Sequence, residues 1–414
     1  MLNDRLTPLD AAALFPDGPA ASIAAAVRSG NRVFLSGRTA QCPDGSVAGL
    51  GDAAAQTNAT LDNLEAALAA AGGSLRDITK LTTSLIDRAH RKPVYETIGR
   101  RLRDVFPVST GLIVAGLARP ELMVQIDADA VIGGATTRLR TFELKDWFAQ
   151  DIAWQGAMVA AGPAEIFVRG QTGAALDGSA MAGPGRRPED AAAQADRALS
   201  NLATLLHEAG SDIDEVTKIT VYISDRAYRH AVYKVIGQHF RGIHPVSTGI
   251  IVPGFARPDI LFEIDVQAKR NQGGPHRRVR RYHSNAVRYG FSQQNIDCDF
   301  CMAVRAGRHV VLRGQTGTDL NEVMHGAGDP QAQAEQAMRN VAQLLGEAGA
   351  RLSDVTKATV FVTDRAYLCS VTETVLRHLG PAAPCLSTLI IKGLASPELA
   401  MEVDITAMVQ GDDA

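Results

Sequence analysis

Two glutamates hold matching places in an alternating strand pattern. Glu263 lies in ILFEIDVQA and Glu402 in LAMEVDITA. Alternation puts Glu263, Asp265 and Gln267 on one face of the first strand, and Glu402, Asp404 and Thr406 on one face of the second. A carboxylate in a cleft can take a proton from water and return it to a leaving amine. A third such strand carries Gln125 at that place, which can hold a water but cannot take its proton. Cations recur as well. Arg169 and Arg313 precede Gly-Gln-Thr, with Gln171 and Gln315 beside them, where the third counterpart has Ser36 and Arg38. Arg88, Arg226 and Arg365 each follow a strand-ending Asp. They read either as anion anchors or as pins that pair with nearby acids. Lys80, Lys218 and Lys357 begin strands, and read as site cations or as bridges to Asp127, Asp265 and Asp404.

These residues repeat because the chain repeats. PVSTGLIVAGLARPELMVQIDADA starts at Pro107, PVSTGIIVPGFARPDILFEIDVQA at Pro245 and PCLSTLIIKGLASPELAMEVDITA at Pro384, 138 and 139 residues apart. Gln56/Asn63, Gln194/Asn201 and Gln333/Asn340 keep the same register, as do the Thr-Lys pairs and the Asp-Arg-Ala triplets. Three units are expected: 1–132, 133–270 and 271–414, the last two with N-terminal linkers. Each reads β-β-α-β-α-β-β, an α+β layer with two helices on one face of a mixed sheet. In the first unit the pattern predicts a strand from Arg32, a helix over 52–71 stopped at Gly72, a strand from Ile78 and a helix over 93–105. Residues 1–22 read as a leader containing Pro8, Pro16 and Pro19. The connectors are 131–153 and 269–300, and the second has six Lys/Arg within 269–281.

The net charge is −3 and 46% of residues are hydrophobic, as in ordinary globular proteins. No apolar run is long enough for a membrane span, and the acidic, proline-bearing start does not resemble a signal peptide. Five unrepeated cysteines fit a reducing cytoplasm. Cys298-Asp-Phe-Cys301 is a lone C-x-x-C, weak for zinc, which takes four ligands. No Gly-rich phosphate loop, H-E-x-x-H or G-x-S-x-G occurs. The expectation is no cofactor and no metal.

The strand ending in Ser-Gly or Arg-Gly-Gln-Thr, the Gln-to-Asn helix, the Pro-led strand and the closing (E/Q)-I-D-x-x-A together resemble the RidA/YjgF family, the reactive intermediate deaminases. The resemblance covers about 110 residues of each copy. It implies a chorismate-mutase-like fold, trimers with a ligand cleft at each subunit junction, and therefore an intramolecular pseudo-trimer here. Tethering supplies each bare sheet face with a partner at high effective concentration. The sequence is compatible with a monomer or with a higher homo-oligomer.

The resemblance assigns the hydrolytic water to the Glu on the closing strand, hence Glu263 and Glu402 as catalytic candidates. The family's carboxylate-binding Arg, two residues after the Pro, is replaced by Ser109, Ser247 and Leu386. Its Asn, eight residues after the strand-ending Asp, is replaced by Tyr95, Tyr233 and Thr372. Arg169 and Arg313 could restore carboxylate binding from another direction. Ser109 and Ser247 offer hydroxyls or simply begin a strand. Cys385 is a nucleophile candidate or a packed core residue. The favoured reading is a deaminase or related C–N hydrolase of a small imine or enamine. A non-catalytic ligand-binding scaffold and a ring-opening amidohydrolase of a cyclic ureide are the alternatives. RNA cleavage, which older family labels carry, is disfavoured by the acidic charge and sparse aromatics.

Overall fold

The computed structural model describes residues 3–11, 21–146, 151–284 and 296–410. Pro16, Pro19 and the end of the second connector, 285–295, lie outside them. The chain forms three like units, each a mixed sheet backed by two helices. In the first, the spatial strand order is Asn3–Asp10, Ser22–Ser29, Arg32–Leu35, Val124–Val131, Ile78–Leu85, Val108–Ile113. All neighbours are antiparallel except Ile78–Leu85 and Val108–Ile113, which run parallel. That parallel step needs a crossover, which helix Arg91–Arg101 provides. The other sheets repeat this order, ending in Phe262–Lys269, Val216–Ile223, Val246–Ile251 and in Met401–Met408, Val355–Val362, Cys385–Ile390.

The helices start and stop where their ends can be satisfied. Asp52 caps Ala53–Ala70 by accepting from the Ala54 and Ala55 amides, and Asp329 caps Pro330–Glu347 through Ala332. Gly72, Gly210 and Gly349 follow the long helices with φ of +76°, +69° and +74°, the left-handed turn that glycine adopts without strain. The shorter helix of the first unit begins at Arg91, two residues before the expected start, and ends at Arg101.

The repeated landmarks are polar pins. Gln56, buried in its helix, donates to Glu121 O and accepts from Met123 N, both at 2.8 Å. Gln194 and Gln333 clasp Asp259/Leu261 and Glu398/Ala400 in the same way. Asn201 and Asn340 donate to Ala174 O and Thr318 O at 2.8 Å. Loop groups that would otherwise be buried without partners are thus paired. The Thr of each Thr-Lys pair sits at a β-bulge, between Ile78/Lys80, Val216/Lys218 and Val355/Lys357. A bulge re-aims the following side chain, and here it turns each lysine towards the adjacent unit.

Each unit has an outer strand beyond the β-β-α-β-α-β-β pattern, and in the first unit it comes from the leader, where the sequence left room for an extra strand or arm. The leader supplies Asn3–Asp10, paired with Ser22–Ser29. The first connector supplies Thr137–Glu143 and the second Arg277–Val279. Four arginines of the basic connector are engaged within the fold. Arg270 donates to the carbonyls of Ala209 and Gly210, and Arg277 to Glu347 O, closing helix ends. Arg278 donates to Asp214 O and Val216 O, and Arg280 pairs with the Glu347 carboxylate at 2.7 Å.

The three sheets meet around a pseudo-threefold axis. One apolar cluster draws Leu112, Val114 and Leu117 from the first unit, Tyr222, Ile250 and Phe255 from the second, and Phe361, Leu389 and Leu394 from the third. Around it the lysines and aspartates pair in a ring that runs between units. Lys80 pairs with Asp265, Lys218 with Asp404, and Lys357 with Asp127 at 2.7 Å. The lysine–aspartate bridges expected from the sequence exist, each to the next unit. An axial cavity of about 130 Å³ lies beside this ring. Among the described residues no helix is long and apolar enough to cross a membrane.

Candidate functional site

Two junctions between units carry the same set of polar side chains. At the first, helix Arg91–Arg101 presents Arg91 and Tyr95, and strand Val108–Ile113 presents Ser109 and Gly111. The second unit adds Arg169, Thr172 and Glu263, and together these line a cavity of about 40 Å³. At the second junction Arg229, Tyr233, Ser247 and Gly249 face Arg313, Thr316 and Glu402 of the third unit around a cavity of about 380 Å³. Ser109 O accepts from Gly170 N at 3.2 Å and Ser247 O from Gly314 N at 3.4 Å, so main chain knits both junctions.

The glutamates sit hard against backbone. A Cβ on Gly170 would come within 2.1 Å of Glu263 Oε1, and one on Gly314 within 1.7 Å of Glu402 Oε1. Only glycine lets the carboxyl lie there. Burial pushes the Glu263 carboxyl up to about 7, against the opposing pull of Arg169, Lys80 and the Gly111 amide, while Asp265 adds to the rise. Burial likewise pushes Glu402 up to about 8, against Arg313, Lys218 and Arg229, with Asp404 adding to the rise. Desolvation outweighs the nearby cations, of which Lys80 and Lys218 are already matched to Asp265 and Asp404. Burial also lowers Arg169 to about 10, leaving it a cation at neutral pH. Arg91 and Arg229 are lowered in the same way by burial.

The tyrosines order the cation side. The Arg91 guanidinium lies 4.9 Å from the Tyr95 ring centroid, and Arg229 lies 4.6 Å from that of Tyr233, within cation–π range. Ser109 Oγ is buried with no hydrogen-bond partner among the described residues, a donor available to a bound molecule. Ser247 holds the same place beside the Tyr233 hydroxyl. Each complete junction thus offers two guanidiniums, a seryl and a tyrosyl hydroxyl, and a carboxyl poised near neutrality.

The structure therefore gathers Glu263, Arg169, Ser109 and Tyr95 into one site, and Glu402, Arg313, Ser247, Tyr233 and Gln315 into another. Gln171 and Gln315 donate to the carbonyls of Arg169 and Arg313 at 2.7 Å, fixing the turn that carries each arginine. Arg88, Arg226 and Arg365 are elsewhere. They cross the junctions to donate to Phe255 O at 2.9 Å, Leu394 O at 2.9 Å and Leu117 O at 2.8 Å. They pin neighbouring main chain, because a guanidinium is the one group long and forked enough to satisfy those turns. The assignment to substrate binding is corrected accordingly. Cys385 also falls away. It is fully buried among Ala24, Val27 and Phe34, donates to Phe34 O, and burial raises its thiol to about 11. A thiol that stays protonated is a poor nucleophile. Cys298 and Cys301 are buried, donate to Tyr233 O and His244 O, and are each pushed up to about 12 by burial.

The sequence reading did not single out Arg91, Arg229, Gly111 or Gly249. Their signal was covariation between copies. Where Arg, Tyr, Ser and Gly stand in the first two units, the third has Leu368, Thr372, Leu386 and Thr388. The junction between the third and first units faces these with Ser36, Arg38 and Gln125. There Gln125 donates to Asp127 at 3.1 Å and Gly37 N donates to Ser387 Oγ at 3.0 Å. It lacks the tyrosine, the carboxyl and both site arginines. Tyr282 and Phe300, from the second connector, and Trp154, the residue after the first, also line the sites.

This arrangement of three α+β units with clefts at their junctions is the chorismate-mutase-like fold. Over 80% of this chain and 93% of the other, it superposes on a chorismatase crystal structure with a TM-score of 0.53 at 14% identity, a likeness of fold. The model of the Endoribonuclease L-PSP family matches three times, over 16–132, 158–270 and 295–409. The chain belongs to this family, also called RidA/YjgF, as three tandem copies. Among curated relatives, the 3-aminoacrylate deaminase RutC of Acinetobacter baylyi is 31% identical over 119 residues, 27% of this chain and 91% of that protein. Protein DfrA of Myxococcus xanthus is 33% identical over 91 residues, 22% of this chain and 70% of that one.

Proposed function

We propose that the chain is a hydrolytic deaminase, or a closely related C–N hydrolase, of a small carboxylate-bearing imine or enamine, working at two of its three junctions. The observation that carries this reading is the buried carboxyl beside paired guanidiniums: Glu263 with Arg169 and Arg91, Glu402 with Arg313 and Arg229. The arginines hold the substrate carboxylate in place of the family arginine missing from the Pro-led strand. A carboxyl near neutrality can donate and accept within one turnover. Water adds to the C=N carbon and the nitrogen gains a proton. The tetrahedral intermediate then collapses to a carbonyl, and ammonia leaves with the C–N bond. Glu263 or Glu402 gives a proton to the imine nitrogen and takes one from the attacking water, then gives that proton to the amine nitrogen and takes the hydroxyl proton as the carbonyl forms, so the carboxyl ends as it began. An enamine first accepts a proton on carbon to become the imine. The deaminase name of the Acinetobacter baylyi relative supports the same class.

The amidohydrolase alternative draws on lysines and arginines that recur three times, and the arginines of the Asp-Arg-Ala triplets donate to main chain. Those lysines are spent on the aspartate ring, so that reading loses its support. The test is ammonia and 2-oxo acid release from imino acids generated in place by an amino-acid oxidase. Acceleration over buffer that falls about 10²–10⁴-fold in the Glu263→Gln/Glu402→Gln double variant is expected. No acceleration by the wild-type chain would leave the non-catalytic binding reading.

A further inference from the structure

The two complete sites share their chemistry and differ in their walls. At the first junction Trp154 stands edge-on to Tyr95, ring centroids 5.7 Å apart, and packs against Phe142 at 5.8 Å. Leu144, Met181 and Ile260 close the remainder. A cavity of about 40 Å³ is left, room for about three water-sized groups. At the second junction the corresponding turn is held in the same way: Gly99 faces Ala153 O, and Gly237 faces Asp297 O. The residue after each carbonyl is Trp154 in one case and Cys298 in the other. The indole is thus replaced by a thiol, and that thiol turns away to donate to Tyr233 O. On the opposite wall Arg257, which forks onto Asp259, is replaced by Ser396. Tyr282, Ser284 and Thr318 add hydroxyls where the first site has Phe142, Leu144 and Ala174. The cavity rises to about 380 Å³.

We infer that the two sites take carboxylates of different size, with Trp154 as the residue that sets the difference. The first accepts a compact aliphatic 2-oxo or 2-imino acid, and the second accepts one with an aromatic or branched polar side chain as well. This rests on the carboxylate-binding reading above. It makes the chain a two-specificity protein whose sites share one catalytic group and one anion clamp. The indole is rigid and doubly packed, against Tyr95 and Phe142, so opening the first site to a larger acid would cost the stacking of both rings.

The test counts bound ligand by titration calorimetry on the full chain, with pyruvate and phenylpyruvate as stable probes. Two pyruvates and one phenylpyruvate per chain are expected. Saturation with phenylpyruvate should then leave a single site for pyruvate. Trp154→Ala should raise the phenylpyruvate count from one to two without changing that of pyruvate. Two phenylpyruvates per wild-type chain, or a count that stays at one in Trp154→Ala, would overturn the inference while leaving the carboxylate reading intact. Binding of neither acid at either site would overturn that reading and this inference with it. The wild-type counts decide the matter if Trp154→Ala does not fold.

Discussion

The hydroxyl of Tyr233 lies over the backbone of Gly249, 2.4 Å from where a Cβ would stand, and Tyr95 lies over Gly111 at the same distance. The tyrosine and the glycine are one device: the phenol reaches the site only because the strand beneath it carries no side chain. In the third unit both have changed together, to Thr372 and Thr388. Gly249→Ala should therefore displace Tyr233 and cost about 1–3 kcal/mol by overpacking. Adding Tyr233→Phe, which removes the clashing atom, should recover most of that stability but not ligand affinity at the second site. Denaturant unfolding and calorimetric titration check the two halves separately.

The carboxyls set the pH response. Glu402 is pushed up to about 8 and Glu263 to about 7. With the acid form required first, activity at the second site should persist about one pH unit further into the alkaline range. The variants Glu263→Gln and Glu402→Gln, measured singly, should each leave the other site's profile. Stability follows the same shifts with a definite sign. The unfolded chain loses this proton near pH 4.5, while the folded chain keeps it up to about 8 at Glu402. Folded protein holds more protons in that window, so stability falls as pH rises through it. Glu402→Gln should gain in Tm relative to wild type as pH rises from about 5 to about 8, and differ little at about pH 4.

The lysine–aspartate ring admits a double-mutant test. Lys218 is 3% exposed at its side chain and Asp404 16%. Removing Lys218 leaves a buried carboxylate unpaired, which costs about 3–5 kcal/mol. Lys218→Met should lose stability on that scale. Lys218→Met/Asp404→Leu should regain much of it, since replacing both charges by apolar groups is often close to neutral. Chemical denaturation of the four chains of the cycle gives the coupling.

Arg226 distinguishes pinning from binding. Arg226→Ala removes the bond to Leu394 O and should cost about 1.5–3 kcal/mol of stability. Ligand counts and KM at both sites should stay near wild type when assayed well below the unfolding transition. A selective rise in KM with unchanged stability would return Arg226 to the list of ligand-binding residues.

Alternation and the long-range repeat were enough to read the sheet, the two helices per unit and the three-unit plan. Helix 53–70 falls where periodicity put it because its buried face is regular, and strand 78–85 is found in place although it is buried on both faces. The outer strands that the two connectors supply were missed for a physical reason. Thr137–Glu143 is mostly exposed or half-buried, so it carries no apolar alternation to detect. The site was half visible. Glu263, Glu402, Arg169 and Arg313 stood out by type and place, while Arg91 and Arg229 looked like solvated residues at a helix start. Their burial arises only when the neighbouring unit closes over them. The lysines and the arginines of the Asp-Arg-Ala triplets, present in all three copies, take the bridging and pinning roles that the sequence already offered for them. The polar set that lines the two cavities stands where only two copies agree.

That last contrast follows from the covalent linkage of the units. In an assembly of identical subunits one codon change alters every cleft at once, and a trial that harms one harms all. Here each junction is encoded separately. A tryptophan can narrow one junction, a cysteine can widen the next, and two leucines and two threonines can replace the polar set at the third, each without touching the others. The fusion lets three junctions on one scaffold diverge residue by residue.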